Sequence, residues 1–122
     1  PTSLDIQAFV PVLCKAFADV EDVQLQAHQI AVSMCSRQPV PMLSSIESFV
    51  EPLEKTINKK KGQKTGTELE RVNEWIKSAL RVMVFLSRVD GAMSNTKFSD
   101  FVDRTRKATK NHQALEAIEG NR

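Results

Sequence analysis

Glycine is scarce in this chain of 122 residues, four in all. Gly62 and Gly66 flank lysines but follow no strand, which excludes a phosphate-cradling loop. Cysteine is scarcer still: Cys14 and Cys35 lie in helical patterns with no metal-ligand spacing around them. They read as reduced core thiols of a reducing compartment, with a disulfide between them as the alternative. The two histidines, His28 and His112, lack a carboxylate or cysteine at ligand or triad spacing. Each reads as an ordinary surface or helix-end residue, so an enzyme is the least favoured class and no cofactor or metal is expected. Neither sign of charge dominates: a formal net charge of +2 does not select nucleic acid or membrane over protein. No apolar run approaches the length that spans a bilayer, and there is no signal peptide. The first residue is Pro1 rather than Met, as in a fragment or a processed chain. Sustained period-two alternation is missing too, so the chain reads as all-α.

Helical periodicity fills that space. The length suits one domain with a single core. Its longest uninterrupted pattern is Thr67 to Leu86, without Gly or Pro. Thr67 and Glu70 have the spacing of a capping box, in which hydroxyl and carboxylate satisfy two orphan amides. Leu69, Val72, Ile76, Ala79, Met83 and Leu86 recur at steps of three and four on one face, widened by Trp75 and Val82. Val84 and Phe85 point away from that stripe, so the end of this helix needs cover from two sides.

The elements around it follow by the same rules. Ser3 caps a first helix with Asp5 in its first turn, and Ile6, Val10, Leu13 and Phe17 form its stripe. Pro11 inside it removes a hydrogen bond and predicts a kink or a restart. An acidic turn over residues 18–22 leads to a second helix with Val23, Ala27, Ile30, Ala31 and Met34 inward, ending near Ser36. The Pro39-Val40-Pro41 break precedes a third helix, from about Pro41 to Ile57, with Pro52 inside. Its stripe is Leu43, Ile46, Val50, Leu53 and Ile57, with Phe49 alongside. Residues 58–66 form a polar basic loop, and Asp90-Gly91 marks the turn after the long helix. Ser94 caps a fifth helix carrying Phe98, Phe101 and Val102; Asn111 caps a last one with Leu115 and Ile118, stopped by Gly120.

There is an internal echo. Phe9-Val10-Pro11-Val12-Leu13 resembles Phe49-Val50-Glu51-Pro52-Leu53 at an offset of about 40, the range of HEAT and armadillo helix pairs. Phe9 to Met34 resembles a HEAT unit, although the arginine common in its second helix is missing, with Gln24 and Gln26 nearby. More specifically, Ala8-Phe9-Val10-Pro11, Val50-Glu51-Pro52-Leu53 and Lys77-Ser78-Ala79-Leu80-Arg81 carry a resemblance that runs from Ser3 to Ile118. Together with the Ser94 cap, Phe101 and the closing Leu115 to Ile118 segment, they resemble the carboxy-terminal end of the cullin-associated and neddylation-dissociated family, the TATA-binding-protein-interacting family.

That resemblance implies an α-solenoid of HEAT type, here about two helix pairs plus a short cap: residues 3–36, 41–88 and 94–119, a single domain over 1–122. The long helix is then the final second helix of an array, with the third helix on its main stripe and the short helices closing over Val84 and Phe85. It also implies a non-catalytic interaction module, cytoplasmic and nuclear, continuous with upstream repeats. The family wraps cullin–RING scaffolds lacking the ubiquitin-like modifier, competes with the substrate adaptor near the cullin's amino-terminal region, and so promotes exchange of substrate receptors. Its adaptor-displacing hairpin would lie upstream of residue 1.

Two surfaces are candidates for contact. The polar row of the long helix carries Glu70, Asn73, Glu74, Lys77 and Arg81, with Arg88 just beyond. Mixed charge suits protein recognition; the plainer reading is a solvated face with pairs such as Glu74 and Lys77. The loop lysines Lys59, Lys60, Lys61 and Lys64, beside Lys55, would meet an acidic surface or phosphates. A nucleic-acid-associated or transcription-linked module using this loop is the alternative function. The loop lacks the interleaved aromatics and arginines such a site wants, and a solvated connector explains it as well. Arg104, Arg106, Lys107 and Lys110 end a helix, where the dipole favours cations.

Overall fold

The computed structural model describes residues 3–17, 21–60 and 62–120, with the backbone alone for 3–8 and 21. Among these residues are seven α-helices and no strand: α1 (Ser3–Ala16), α2 (Glu21–Arg37), α3 (Pro39–Ser44), α4 (Ile46–Ile57), α5 (Gly66–Ser87), α6 (Thr96–Lys107) and α7 (His112–Gly120). The fold is all-α and HEAT-like. The side chains of Ser3, Asp5 and Ile6, and residues 18–20 of the expected acidic turn, lie outside the described residues; Glu21 and Asp22 already begin α2.

The 40-residue echo survives as burial. Val10 and Leu13 of α1 and Phe17 just past its end are buried, as are Val50, Leu53 and Ile57 of α4. Pro11 does not restart α1, which runs through it. The proline is exposed, where a freed carbonyl turns to solvent at little cost. The third expected helix is two. Pro39 opens α3 at its first position, where a fixed φ suits the helix and the missing amide proton is not needed. Ser45, at φ −116° and ψ 19°, separates α3 from α4. Ser44 Oγ donates to the Val40 carbonyl at 3.0 Å, a bond back along the helix that bends it.

The ends of α5 and α6 also shift. Thr65, not Thr67, is the N-cap of α5, and its side chain makes no cap hydrogen bond, so the expected capping box does not form. Asn95 rather than Ser94 caps α6: its Oδ1 accepts from the Phe98 amide at 3.0 Å. Ser94 closes a 3₁₀ turn, Ala92–Ser94, entered through Gly91 at φ +89°. The dihedral favours glycine, and a Cβ there would also press on Leu43 Cδ2 at 3.3 Å. Asn111 lies in a second 3₁₀ turn before α7 and turns its amide to the Thr105 carbonyl, 3.0 Å away.

Helix α5 is the hub. Its buried residues include Val72, Trp75, Ile76, Ala79, Leu80, Val82, Met83, Val84 and Leu86, too wide a stripe for one neighbour to cover. Helix α2 packs on it most extensively, then α4, then α7, while α6 lies chiefly against α4. Of the first pair, α2 is therefore in direct contact with the hub, while α1 packs on α2, α3 and α4. Small buried residues, Ala27 and Ala31 on α2 and Ala79 on α5, favour close approach of the two axes. Phe85 is half-buried, with the Arg81 and Arg88 guanidiniums 5.4 Å and 5.1 Å from its ring centre.

Helix α2 departs most from its expected face. Ala27, Ala31 and Met34 are buried, but Val23 and Ile30 are exposed, and Gln24 and His28 are buried instead. The reason is a polar joint. Gln24 Oε1 accepts from Trp75 Nε1 at 2.7 Å and from Thr56 Oγ1 at 3.2 Å, linking α2, α4 and α5. A carbonyl oxygen can take both, and a buried polar group with its hydrogen bonds made is tolerated in a core.

Candidate functional site

His28 sits at the α2–α5 seam with only 1% of its surface exposed, not on the surface as expected. Its ring meets Phe17 edge-on at 4.9 Å, and Nδ1 hydrogen-bonds Ser78 Oγ of α5 at 3.0 Å. Nε2 is buried with no partner. Burial penalises the imidazolium and pulls its pKa down to about 4, so the ring is neutral at physiological pH. His112, by contrast, is exposed, and its Nε2 donates to the Arg106 carbonyl at 3.0 Å.

Above His28 the two helices part into an open groove of about 630 Å³. Leu25, Val32 and Ile118 supply its apolar lining; Gln29, Glu74, Lys77 and Arg81 supply its polar one. Four-residue steps on α2 put Leu25, Gln29 and His28, Val32 along one edge, and Glu74, Lys77, Ser78 and Arg81 form the facing edge on α5. Helix α7 brings in Ile118 from about forty residues further along the chain. The structure thus unites three of the expected contact residues, Glu74, Lys77 and Arg81, and leaves Asn73 exposed outside the groove. The expected Glu74–Lys77 ion pair does not form; among the described residues neither Lys77 nor Arg81 has a carboxylate in range.

The loop lysines lie elsewhere. The loop precedes Gly66, and fifteen residues of helix at 1.5 Å each put Arg81 about 22 Å from that end. Lys59 is tied to the fold: its Nζ stands 4.4 Å from the Trp75 ring centre, a cation–π contact. Lys60 and Lys64 are exposed, and Lys61 lies outside the described residues. Three cations at and just beyond the end of α6 are committed too. Arg104 makes two parallel bonds to Glu54, at 3.0 and 2.9 Å, Arg106 pairs with Glu119 at 2.7 Å, and Lys110 donates to Asn58 at 2.8 Å.

Cys14 and Cys35 are free thiols, so the disulfide alternative falls; burial pushes the Cys35 pKa up to about 12. No group of three His, Cys, Asp or Glu among the described residues is placed to hold a metal, and no helix among them is long and apolar enough to cross a membrane. Sequence reasoning missed His28, Gln29, Ser78, Leu25, Val32 and Ile118. The available signal was Gln24 and His28 one turn apart, a polar pair interleaved with the alanine stripe of α2.

Comparison with known proteins gives a consistent picture. The family model described as TATA-binding protein interacting (TIP20) matches residues 1–106. Cullin-associated NEDD8-dissociated protein 1 of Dictyostelium discoideum is 30% identical over 109 residues, 87% of this chain. The Arabidopsis thaliana protein of the same name is 34% identical over 90 residues, 73% of the chain. The chain spans 9% and 7% of these relatives' own lengths.

Proposed function

The chain belongs to the TATA-binding-protein-interacting family, and from that premise we propose that it is a non-catalytic docking module of a cullin-associated exchange factor. In this reading it closes the carboxy-terminal end of a HEAT array, continuous with upstream helix pairs, in the cytoplasm and nucleus. The whole protein sequesters unmodified cullin–RING scaffolds near the cullin's amino-terminal region, competes there with the substrate adaptor, and promotes exchange of substrate receptors. The polar row of α5 is the surface that faces the partner.

One observation carries the assignment of the surface. Lys77 and Arg81 stand at the α2–α5 opening with no carboxylate partner among the described residues, whereas Arg104 and Arg106 are spent on internal pairs. Arg81 leans on the Phe85 ring, but neither cation has to give up a carboxylate of its own among the described residues before meeting one across an interface. The nucleic-acid alternative is weaker, because Lys59 already packs on Trp75 and the loop sequence over residues 58–66 supplies no aromatic for base stacking.

The test is capture of cullin–RING complexes by the full-length protein. Lys77→Glu with Arg81→Glu is expected to reduce capture and slow receptor exchange while the helical circular dichroism signal stays unchanged. Lys60→Glu with Lys64→Glu is expected to leave both as they were. Capture that survives the first pair and fails with the second would move the partner surface to the loop.

A further inference from the structure

The α2–α5 groove has a built asymmetry that a solvated face does not need. Along its length the apolar side chains Leu25 and Val32 of α2 meet the mostly buried Ile118 of α7 at one opening. Across α2 they are the half-buried residues, neither sunk into the core like Ala27 and Ala31 nor fully in water. Beside them stand two cations without a carboxylate partner among the described residues, Lys77 and Arg81, against one acid, Glu74. Arg88 extends the positive edge past the end of α5: it and Arg81 flank the Phe85 ring. The other large surface hollow, about 510 Å³ between α4 and α6, differs on this point. Glu51, Glu54 and Asp100 line it with Lys55, Lys97 and Arg104, equal numbers of each sign, and Arg104 is already paired with Glu54.

We propose that the α2–α5 groove takes a short acidic and apolar segment of a partner protein, with one or two aliphatic side chains seated on Leu25, Val32 and Ile118 and carboxylates on Lys77 and Arg81. Charge complementarity selects this occupant. A basic segment would place like charge against Lys77, Arg81 and Arg88, and a wholly polar one would leave the apolar lining wet. A volume of about 630 Å³ is of the size that holds a few side chains rather than a folded surface. Gln29, on the rim and exposed, gives the segment a neutral hydrogen-bonding neighbour. This assignment rests on the reading of the α5 row as the partner-facing surface and adds to it the chemistry of what is recognised.

A random dodecapeptide library displayed on phage and selected on the immobilised chain tests it directly. Selected peptides are expected to combine aspartate or glutamate with leucine-like residues, and to bind with an affinity that falls as salt rises. Lys77→Glu with Arg81→Glu is expected to weaken them about ten-fold or more. Gln29 offers a pair of substitutions at an exposed position that leave the fold intact: Gln29→Glu weakens binding and Gln29→Lys tightens it, each by about two- to five-fold. A selection that returns nothing, returns basic peptides, or returns acidic peptides indifferent to Gln29 and lost with Lys60→Glu and Lys64→Glu overturns the proposal. Cullin capture separates the two claims. If capture depends on Lys77 and Arg81 while no acidic peptide binds, the groove fails and the surface stands. If acidic peptides bind the groove while capture ignores both residues, the surface reading fails and the groove stands.

Discussion

The seams that α2 makes with α5 and that α4 makes with α6 are built from the same residue types and end in opposite conditions. At α4–α6 the polar groups are matched: Arg104 with Glu54, Lys110 with Asn58, and Asn95 Nδ2 donating to Glu47 at 2.9 Å. Beneath them Phe98 and Phe101 pack ring to ring at 6.0 Å, both fully buried. At α2–α5 the buried His28 keeps one nitrogen unpaired, and the cations at the rim have no carboxylate among the described residues. One seam is closed by pairs of its own at these points, and the charges left along it, Glu51, Lys55, Lys97 and Asp100, balance in sign; the other leaves hydrogen-bonding capacity and net positive charge over. Charge that is paired inside a fold contributes to that fold, and charge left over is available to something else.

The largest effect should come from breaking the closed seam. Phe101→Ala removes a fully buried ring and is expected to cost about 3–5 kcal/mol, read as a lower urea midpoint. Were the loss under a third of that, the seam would be able to collapse around the gap and would not be the rigid one.

His28 sharpens the contrast through pH. Its folded pKa of about 4 lies below the ordinary 6.5, so the folded state resists protonation and the unfolded chain takes the proton more readily. The stability from the neutral ring is fully present above about pH 6.5 and is lost as pH falls toward 4. By linkage the loss reaches about 2 kcal/mol at pH 5. Urea melts of the wild type and His28→Leu at pH 7.5 and pH 5 isolate it from the carboxylates, because only the difference between the two proteins belongs to His28. Parallel pH dependence in both would mean that the ring is solvated and leaves no hydrogen-bonding capacity over.

These contrasts also mark what could be read from the sequence. The extent of α5 was legible because twenty residues of unbroken period leave little choice, and the observed helix, Gly66–Ser87, extends it by one residue at each end. The caps were not. Thr65 and Thr67, like Ser94 and Asn95, are neighbouring side chains equally able to cap, and only the backbone dihedral decides which one stands at the helix start. The break at Ser45 was hidden because the apolar period passes straight across it, with Met42, Ile46, Phe49 and Val50 all buried. On α2 hydrophobicity pointed to Val23 and Ile30, but Gln24 and His28 are inside. Their partners Thr56, Trp75 and Ser78 lie 32, 51 and 50 residues away, and no local pattern announces a bond of that span. The candidate site was half legible for the same reason: its α5 edge is periodic, and its α2 edge and Ile118 exist only in three dimensions.

A smaller effect tests the closed seam's edge. Asn95→Ala loses the hydrogen bond to the Phe98 amide and the one to Glu47, and is expected to cost about 1 kcal/mol. Ser94→Ala, one residue earlier and outside the cap, is expected to change the urea midpoint by much less. Equal losses would return the cap to Ser94.

The smallest expected change in stability carries the most information about function. Arg104→Gln and Arg81→Gln remove one cation each from an exposed position, the first from a two-bond pair with Glu54, the second from a rim with no carboxylate partner. Exposed ion pairs contribute little, because water and salt screen them and ordering two long side chains costs entropy. Both urea midpoints are therefore expected to stay close to that of the wild type, with Arg104→Gln the lower of the two. Partner capture should divide them. Arg81→Gln is expected to weaken binding of cullin–RING complexes to the full-length protein and to flatten its salt dependence, since one interfacial cation is gone. Arg104→Gln is expected to leave capture at the wild-type level, since its charge is already answered within the fold. If the two substitutions act alike on capture, the difference between a closed seam and an open one has no bearing on recognition, and the unpaired cations of α5 are an ordinary solvated face.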